Sequence, residues 1–352
     1  MALEKLVIKN FRCLESVEFE PHPDGNIIVG ENASGKTSLL EALFFVGRGR
    51  SFRPAQTEGL IRDGSSSFQL VATVGHNNRS LVLGLEVAKD SRTVRIGGQA
   101  AKSLGELAEY LPVQVIDPDV HKLVEDGPGG RRQFMDFGVF HVEHTFLDTW
   151  RRYQRALKQR NKALKTDPRV ASAWDPELIQ AGDALDVLRR GYVDELLPVA
   201  QDWVQFFLDG ELELKYRSGW AADRTLAEAL SHSHQRDRDF GATLVGPHRA
   251  DLELRVHDRA ARGRVSRGQQ KLLASALLLA QVELMETRAG PGVLLLDDPA
   301  AELDSERLSR LLGRVQGLGS QCFVTGLKLE DLAEFKSGSV FHVEQGNLRT
   351  VL

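Results

Sequence analysis

The sequence predicts a mixed α/β fold built round a phosphate-binding loop, with an antiparallel β meander beside it and a helical insert interrupting it. Three observations carry this. Gly30, Gly35, Lys36 and Thr37 stand at the spacing G-x-x-x-x-G-K-[ST], after the apolar run Ile27, Ile28, Val29 and before Leu39, Leu40, Ala42, Leu43 and Phe44 at helical spacing. Residues 67–75, 80–88 and 93–98 alternate apolar and polar side chains between turn-forming breaks, as meander strands do. From about 120 to 235 the pattern is mainly helical, and strand patterns return from 211 onward.

Taken in order, residues 3–8 and 17–19 read as two strands around Asn10-Phe11-Arg12. The phosphate loop and its helix follow. Residues 47–54 put three arginines among glycines and a proline, which makes a loop. It reads either as a solvated linker or as a segment that meets phosphates or a partner. After the meander come a short helix at 104–111 and a strand at 112–118. Two long helical stretches, 131–166 and 176–208, are separated by Asp167-Pro168 and Asp175-Pro176. Strand patterns recur at 211–216, 250–256 and 293–296. The expected segments are 1–120, the N-terminal part of the α/β domain; 121–235, the helical insert; and 236–352, the C-terminal part.

Composition bounds the function classes. The 352 residues are 42% hydrophobic and 27% charged, ordinary for a soluble globular protein. No apolar run reaches about 18 residues, so no membrane span is expected. Cys13 and Cys322 have no metal or redox spacing, which suits a reducing cytoplasm. A net charge of −4 requires any nucleic-acid surface to be local. One local candidate lies in the insert, where Arg151, Arg155, Lys158, Lys162 and Lys165 share a helical arc of roughly 80°. Trp150, Tyr153, Leu157 and Leu164 point about 130° away. The stripe reads as a solvated face or as a surface for a nucleic-acid backbone or acidic partner. His141, His144, His232 and His234 carry His-x-x-His and His-x-His spacings, but without a second ligand set they read as ordinary surface or interface histidines.

The chemistry of the loop follows from its residues. Gly30 and Gly35 let backbone N–H groups turn onto phosphate oxygens, and the helix start adds unpaired N–H groups and partial positive charge. Lys36 is expected to reach the β- and γ-phosphates and Thr37 to ligate Mg²⁺. The strand ending in Asp297-Asp298 supplies the remaining acids: Asp297 for the metal, Asp298 facing the attacking water. Ser266 with Gln269 three residues later is a capping-box pattern at the start of an apolar helix. Gly268 in its first turn exposes backbone N–H groups. That start reads as a second anion-receptive terminus or as a plain N-cap on a core helix.

At these residues the chain resembles a known family. Ser266-Arg267-Gly268-Gln269-Gln270 is similar to the signature motif of ABC-type ATPases in the form used by the SMC and RecF group. Residues 293–299 resemble their Walker B strand, and Ala301-Glu302-Leu303-Asp304 their D-loop. Asn10-Phe11-Arg12, the 47–52 and 127–136 segments and Gly246-Pro247-His248-Arg249 resemble the RecF family in particular. An insert of roughly 115 residues leaves no room for the long coiled coil of SMC proteins. The resemblance covers residues 9–325 and implies an ABC-type ATPase head with an inserted helical domain.

The resemblance implies two heads sandwiching two ATP molecules. Gly30, Glu31, Asn32, Ala33, Ser34, Gly35, Lys36, Thr37 and Ser38 would hold ATP in cis, with Arg12 as a further phosphate contact. Ser266, Arg267, Gly268 and Gln269 would face the partner's ATP, and Asp304 would cross the dimer interface. Gln114 is the candidate glutamine sensing Mg²⁺ and water, and Asp298 the base. The implied function is an ATP-dependent homodimeric clamp on double-stranded, single-stranded or junction DNA. It would act in gap repair, replication and the SOS response to DNA damage, with RecR and RecO, in loading RecA. Two departures predict slow turnover: the base position carries Asp298 where transporters usually carry glutamate, and Thr325-Gly326 replaces the usual switch histidine. The alternative is the ATPase subunit of a membrane transporter, which shares the core motifs but lacks the RecF-type segments.

Overall fold

The computed structural model describes residues 1–76, 79–336 and 338–351. It divides into two compact units, Met1–Val120 with Met285–Leu352, and His121–Leu284.

The first unit holds two six-stranded sheets. One is the antiparallel meander: β1 (Ala2–Phe11) and β2 (Leu14–Phe19) continue into β4 (Ser67–His76), β5 (Arg79–Ala88), β6 (Arg92–Ile96) and the short β7 (Gln99–Ala100), in the order β2-β1-β4-β5-β6-β7. The expected break after β4 falls on residues 77–78, outside the described residues. Asn10 and Arg12 both take positive φ, which turns the chain from β1 into β2 as the Asn-Phe-Arg punctuation suggests. The other sheet combines β3 (Gly25–Val29), β8 (Val113–Ile116), β12 (Val293–Leu296), β13 (Gln321–Gly326), β14 (Ser339–Glu344) and β15 (Asn347–Thr350) in the order β15-β14-β3-β13-β12-β8. All its pairs are parallel except the β14–β15 edge, so its central strands are buried on both faces and read as unbroken apolar runs. Helix α1 (Lys36–Arg48) packs its apolar side into one core with residues of both sheets, among them Phe11, Phe68, Leu295 and Phe341.

Helix α1 runs further than the loop expected from residue 47. Gly47 lies within the helix, and a Cβ there would sit 2.5 Å from both the Leu111 carbonyl oxygen and the Val113 side chain. Glycine is what allows the helix to approach β8 this closely. The turn comes two residues later, where Gly49 takes φ +64 and caps the helix. The short helix α2 is Gly105–Tyr110.

The second unit comprises α3 (Lys122–Glu125), α4 (Pro128–Val142), α5 (Phe146–Thr166), α6 (Asp175–Leu208), α7 (Leu226–Phe240), most of α8 (Arg267–Ala289) and a small sheet. In that sheet β10 (Asp251–Val256) pairs with β9 (Leu212–Arg217) and with β11 (Arg259–Ala260). The first unit also contains α9 (Ser305–Val315). Two sequence expectations change here. Residues 131–166 are not one helical stretch: extended backbone at Glu143 ends α4, and Phe146 is buried at the start of α5. The seam expected at 235/236 falls inside α7, and residues 236–284 group with the helical unit.

Polar side chains knit this unit internally. Arg160 of α5 is 1% exposed and bonds Asp175 (2.7 Å), Asp237 (2.7 Å) and Thr243 (2.8 Å). His234 adds a 2.9 Å contact to Asp175. In the Gly-Pro-His-Arg segment, His248 Nε2–H donates to the Thr243 carbonyl (2.9 Å), which leaves Nδ1 to accept from the Tyr153 hydroxyl at 2.7 Å. A Cβ on Gly246 would stand 2.7 Å from that hydroxyl, so the segment is built round it.

Burial pulls the His248 pKa down to about 4. An unfolded histidine titrates near ~6.5. The folded state therefore binds fewer protons than the unfolded state between these values. Stability is unaffected above the unfolded pKa and falls as pH drops toward the folded one. The expected loss from this group is about 2 kcal/mol on going from about pH 7.5 to about pH 5. Urea titrations of the parent and His248→Gln at both pH values check it. The variant should lose less stability on acidification, and equal losses would remove His248 as the cause.

Candidate nucleotide site

Strand β3 delivers the phosphate loop at the carboxyl end of the parallel sheet, where open α/β sheets bind ligands. Gly30 lies so close to β14 that a Cβ would be 2.3 Å from the Val343 carbonyl oxygen. Ala33 at φ +63 and Gly35 at φ +119 complete the reversal into α1. Gly346 N–H donates to the Ser34 carbonyl at 2.8 Å, pinning the loop to the β14–β15 turn. Among the described residues the buried Ser34 hydroxyl oxygen has no hydrogen-bond partner, and an orphaned hydroxyl inside an anion-binding loop fits a ligand rich in acceptors. Lys36 Nζ donates back to the carbonyls of Gly30 (2.7 Å) and Glu31 (2.9 Å), inside the loop it follows. Burial lowers its pKa, and Asp298 and Asp297 act in the opposite sense.

The carboxylates arrive on β12. Leu296 pairs with Val324 of β13, so the next residues along, Asp297 and Thr325, stand level at the strand ends. The Thr37 hydroxyl lies 3.0 Å from Asp297 Oδ2, and the Thr325 hydroxyl donates to Oδ1 at 2.9 Å. Thr325 also accepts from Asp298 N–H at 2.8 Å. One buried threonine therefore orients both acids. Sequence reading treated Thr325 only as the place of a missing histidine, since its role needs β13 to lie between β3 and β12. Asp298 takes left-handed backbone, φ 49 and ψ 53, which turns its side chain away from the strand alternation. Burial raises the pKa of both acids, against the opposing pull of Lys36. A threonine hydroxyl touching a carboxylate is a hard-oxygen pair of the kind that suits Mg²⁺.

One expected contributor stands elsewhere, and another carries a partner on α1. Gln114 pairs with Leu294, three residues upstream of Asp297 and about 10 Å back along the strand. A glutamine side chain does not span that distance, so the structure does not bring Gln114 to the acids. The Arg12 guanidinium is held by Glu41 (2.9 and 2.8 Å) and by the Gly59 carbonyl (2.6 Å), with Ser51 also on Glu41. Glu41 is fully buried, an acid in an apolar helix that sequence reading passed over.

In the second unit, α8 begins as its capping box requires. Ser266 N–H donates to Gln269 Oε1 (3.1 Å) and Gln269 N–H to Ser266 Oγ (3.3 Å). A Cβ on Gly268 would meet nothing within 4 Å, so this turn faces open space. Arg267 is tied to the buried His121 at 3.0 Å, a partner 146 residues away that no local pattern announces. Asp304 caps α9, accepting from Arg307 N–H at 2.9 Å. On α5, Arg151, Arg155, Lys158, Lys162 and Lys165 are all exposed, while Tyr153, Leu157 and Leu164 are buried. His141, His144, His232 and His234 belong to no metal-holding cluster among the described residues.

The chain matches the model of the RecF/RecN/SMC N-terminal domain over residues 2–348. It is 42% identical over 357 residues to the DNA replication and repair protein RecF of Thioalkalivibrio sulfidiphilus, covering 99% of each chain. It belongs to the RecF family. A second RecF, from Pseudomonas aeruginosa, is 40% identical over 99% of this chain and 97% of its own. A solved structure of the recombination mediator protein RecF in the RecFOR pathway superimposes with a TM-score of 0.87 at 25% identity, covering 99% of this chain and 98% of that one. An Smc head, at 17% identity and a TM-score of 0.59, shares the fold over 100% of this chain and 97% of that one. The RecF likeness thus takes in the phosphate loop, the helical unit and the signature helix together, and it sets aside the transporter alternative. The chain is a member of a family of DNA replication and repair proteins with an ABC-type head, and no described helix is long and apolar enough to cross a membrane.

Proposed function

We propose that this RecF-family chain is an ATP-gated DNA clamp. Two copies close over ATP, the phosphate loop of one facing the signature helix start of the other. The observation that carries this is the grouping of Lys36, Thr37, Asp297 and Asp298 at the carboxyl end of the parallel sheet, in a chain that also presents an open helix start at Ser266 and Gly268. The solved relative described as RecF-ATPrS supports the nucleotide.

Residues 30–38 bind the phosphates through loop N–H groups, and Lys36 exchanges its two loop carbonyls for phosphate oxygens. Thr37 and Asp297 would hold Mg²⁺, whose charge would offset that of the phosphates. Asp298 accepts a proton from water at its carboxylate, held in place by Thr325. Its short side chain and the lack of a switch histidine make turnover slow, so ATP serves as a conformational switch. Across the closed pair Ser266, Arg267, Gly268 and Gln269 meet the partner's nucleotide, and Asp304 adds to the interface while capping α9.

The closed form brings the α5 stripe, Arg151 to Lys165, onto the DNA backbone, without base reading. The partners are duplex or junction DNA and RecR, with RecO, upstream of RecA loading at single-strand gaps in the cytoplasm. Sedimentation with ATP and Mg²⁺ tests the clamp. Asp298→Asn, which should slow hydrolysis about a hundredfold or more, is expected to accumulate as dimer, and a variant that stays monomeric would defeat the reading. Rapid hydrolysis by the parent chain would contradict the switch.

A further inference from the structure

The signature turn of α8 is held from two sides. Its backbone is closed by the capping box of Ser266 and Gln269, and the buried Gln270 side chain donates to the Val265 carbonyl at 3.4 Å. Its arginine is held by a residue of another element. Arg267 is exposed, yet its Nη2–H donates at 3.0 Å to Nε2 of His121, which is only 3% exposed. A guanidinium has donors and no acceptor, so Nε2 keeps its lone pair and the ring proton sits on Nδ1. Nδ1 is buried and has no hydrogen-bond partner among the described residues.

An unmet buried donor counts against the fold, and a leucine in the same place would be buried without one. Stability therefore does not explain a histidine at position 121. Its surroundings fix where the ring stands. The His121 carbonyl accepts from Val124 N–H (2.9 Å) and Glu125 N–H (3.0 Å), which makes it the start of α3. The buried Arg131 of α4 closes the far end of α3 by donating to the carbonyls of Val124 (3.3 Å) and Asp126 (2.8 Å). Asp251 of β10 anchors the same guanidinium at 2.8 and 3.1 Å. The Glu125 carboxylate lies 3.6 Å from His121 Nε2, beyond hydrogen-bond distance, and is 58% exposed, so water screens it.

We propose that His121 is a positioning residue for the signature turn, holding the Arg267 guanidinium through Nε2 so that it meets the partner's nucleotide already ordered. The nucleotide half of this rests on the clamp reading. A free arginine side chain loses rotamer freedom when it is immobilised, and the tie to His121 moves that cost from binding into folding. A neutral ring suits the task. It accepts from the guanidinium without neutralising it, whereas a carboxylate at position 121 would compete with phosphate for the same charge.

Sedimentation with ATP and Mg²⁺, beside equilibrium binding of a fluorescent ATP analogue to the dilute monomer, tests this on the full chain. His121→Leu fills the place of the ring and removes the acceptor. It should melt no lower than the parent and bind the analogue with parent affinity. Its ATP-dependent dimer should nevertheless be at least about tenfold weaker, because each of the two sites then has an arginine to order. His121→Gln, whose amide oxygen still accepts, should recover most of the loss. With Arg267→Ala in place, His121→Leu should add nothing further. Ring nitrogen NMR spectra of the nucleotide-free chain give a readout independent of dimerisation. The signals lost in His121→Gln, among those of the ten histidines, should belong to an Nδ1–H tautomer. An Nε2–H tautomer would overturn the tie, and so would a His121→Leu dimer as tight as the parent's. A parent chain that shows the Nδ1–H tautomer but never dimerises with ATP would defeat the clamp and leave Arg267 held by His121.

Discussion

Arg160→Leu is expected to destabilise the helical unit by about 3–5 kcal/mol, the cost of leaving a buried charge without its partner. Asp237 is fully buried and its carboxylate is bonded by Arg160 and by Ser233 (3.2 Å). Asp175 also loses the guanidinium, though it keeps His234. The readout is favourable because all four tryptophans, Trp150, Trp174, Trp203 and Trp220, fall within residues 121–284. Tryptophan fluorescence in urea therefore follows this unit. The midpoint should drop sharply for Arg160→Leu and recover in part when Asp237→Asn is added, because the stranded charge is then gone. A loss below about 1 kcal/mol would mean that water replaces the arginine and that the network adds little.

Lys36→Ala is expected to weaken ATP binding by about 2–3 kcal/mol, roughly 30- to 150-fold, the worth of a charged hydrogen-bond donor. Its folding should be nearly untouched, because among the described residues Lys36 Nζ bonds only two loop carbonyls, one of them on the exposed Glu31. Equilibrium binding of a fluorescent ATP analogue gives the affinity, and thermal melting without nucleotide checks the fold. Parent-like affinity would show that the loop N–H groups hold the phosphates unaided.

Much of the site was legible because its motifs are local. A Gly-rich turn before a helix, a capping box and an apolar strand ending in acids each depend on residues a few positions apart. The meander was legible for the same reason, since alternation is a property of each strand by itself. Gln114 shows where this reasoning stops. It lies on the right strand, but parallel register decides how far along the strand a side chain stands, and Gln114 pairs with Leu294 rather than with Asp297. Arg12 punctuates the chain as its positive φ shows, and its guanidinium bonds Glu41, 29 residues away on the buried side of α1, a partner that no local pattern announces.

By itself the sequence determined that the chain has a phosphate loop, a strand bearing paired acids, a capped signature-like helix and a basic stripe on α5, because each follows from spacing along one element. Tertiary structure alone decided which of these meet. Placing β13 between β3 and β12 sets Thr325 level with Asp297, and the close approach of α1 to β8 leaves position 47 room for glycine alone. Folding likewise paired Arg267 with His121 and Arg160 with Asp237, contacts whose partners lie 146 and 77 residues apart. The physical reason is that local backbone preference fixes an element, whereas a buried charge or hydroxyl takes its partner from whichever element the sheet order and helix packing bring beside it.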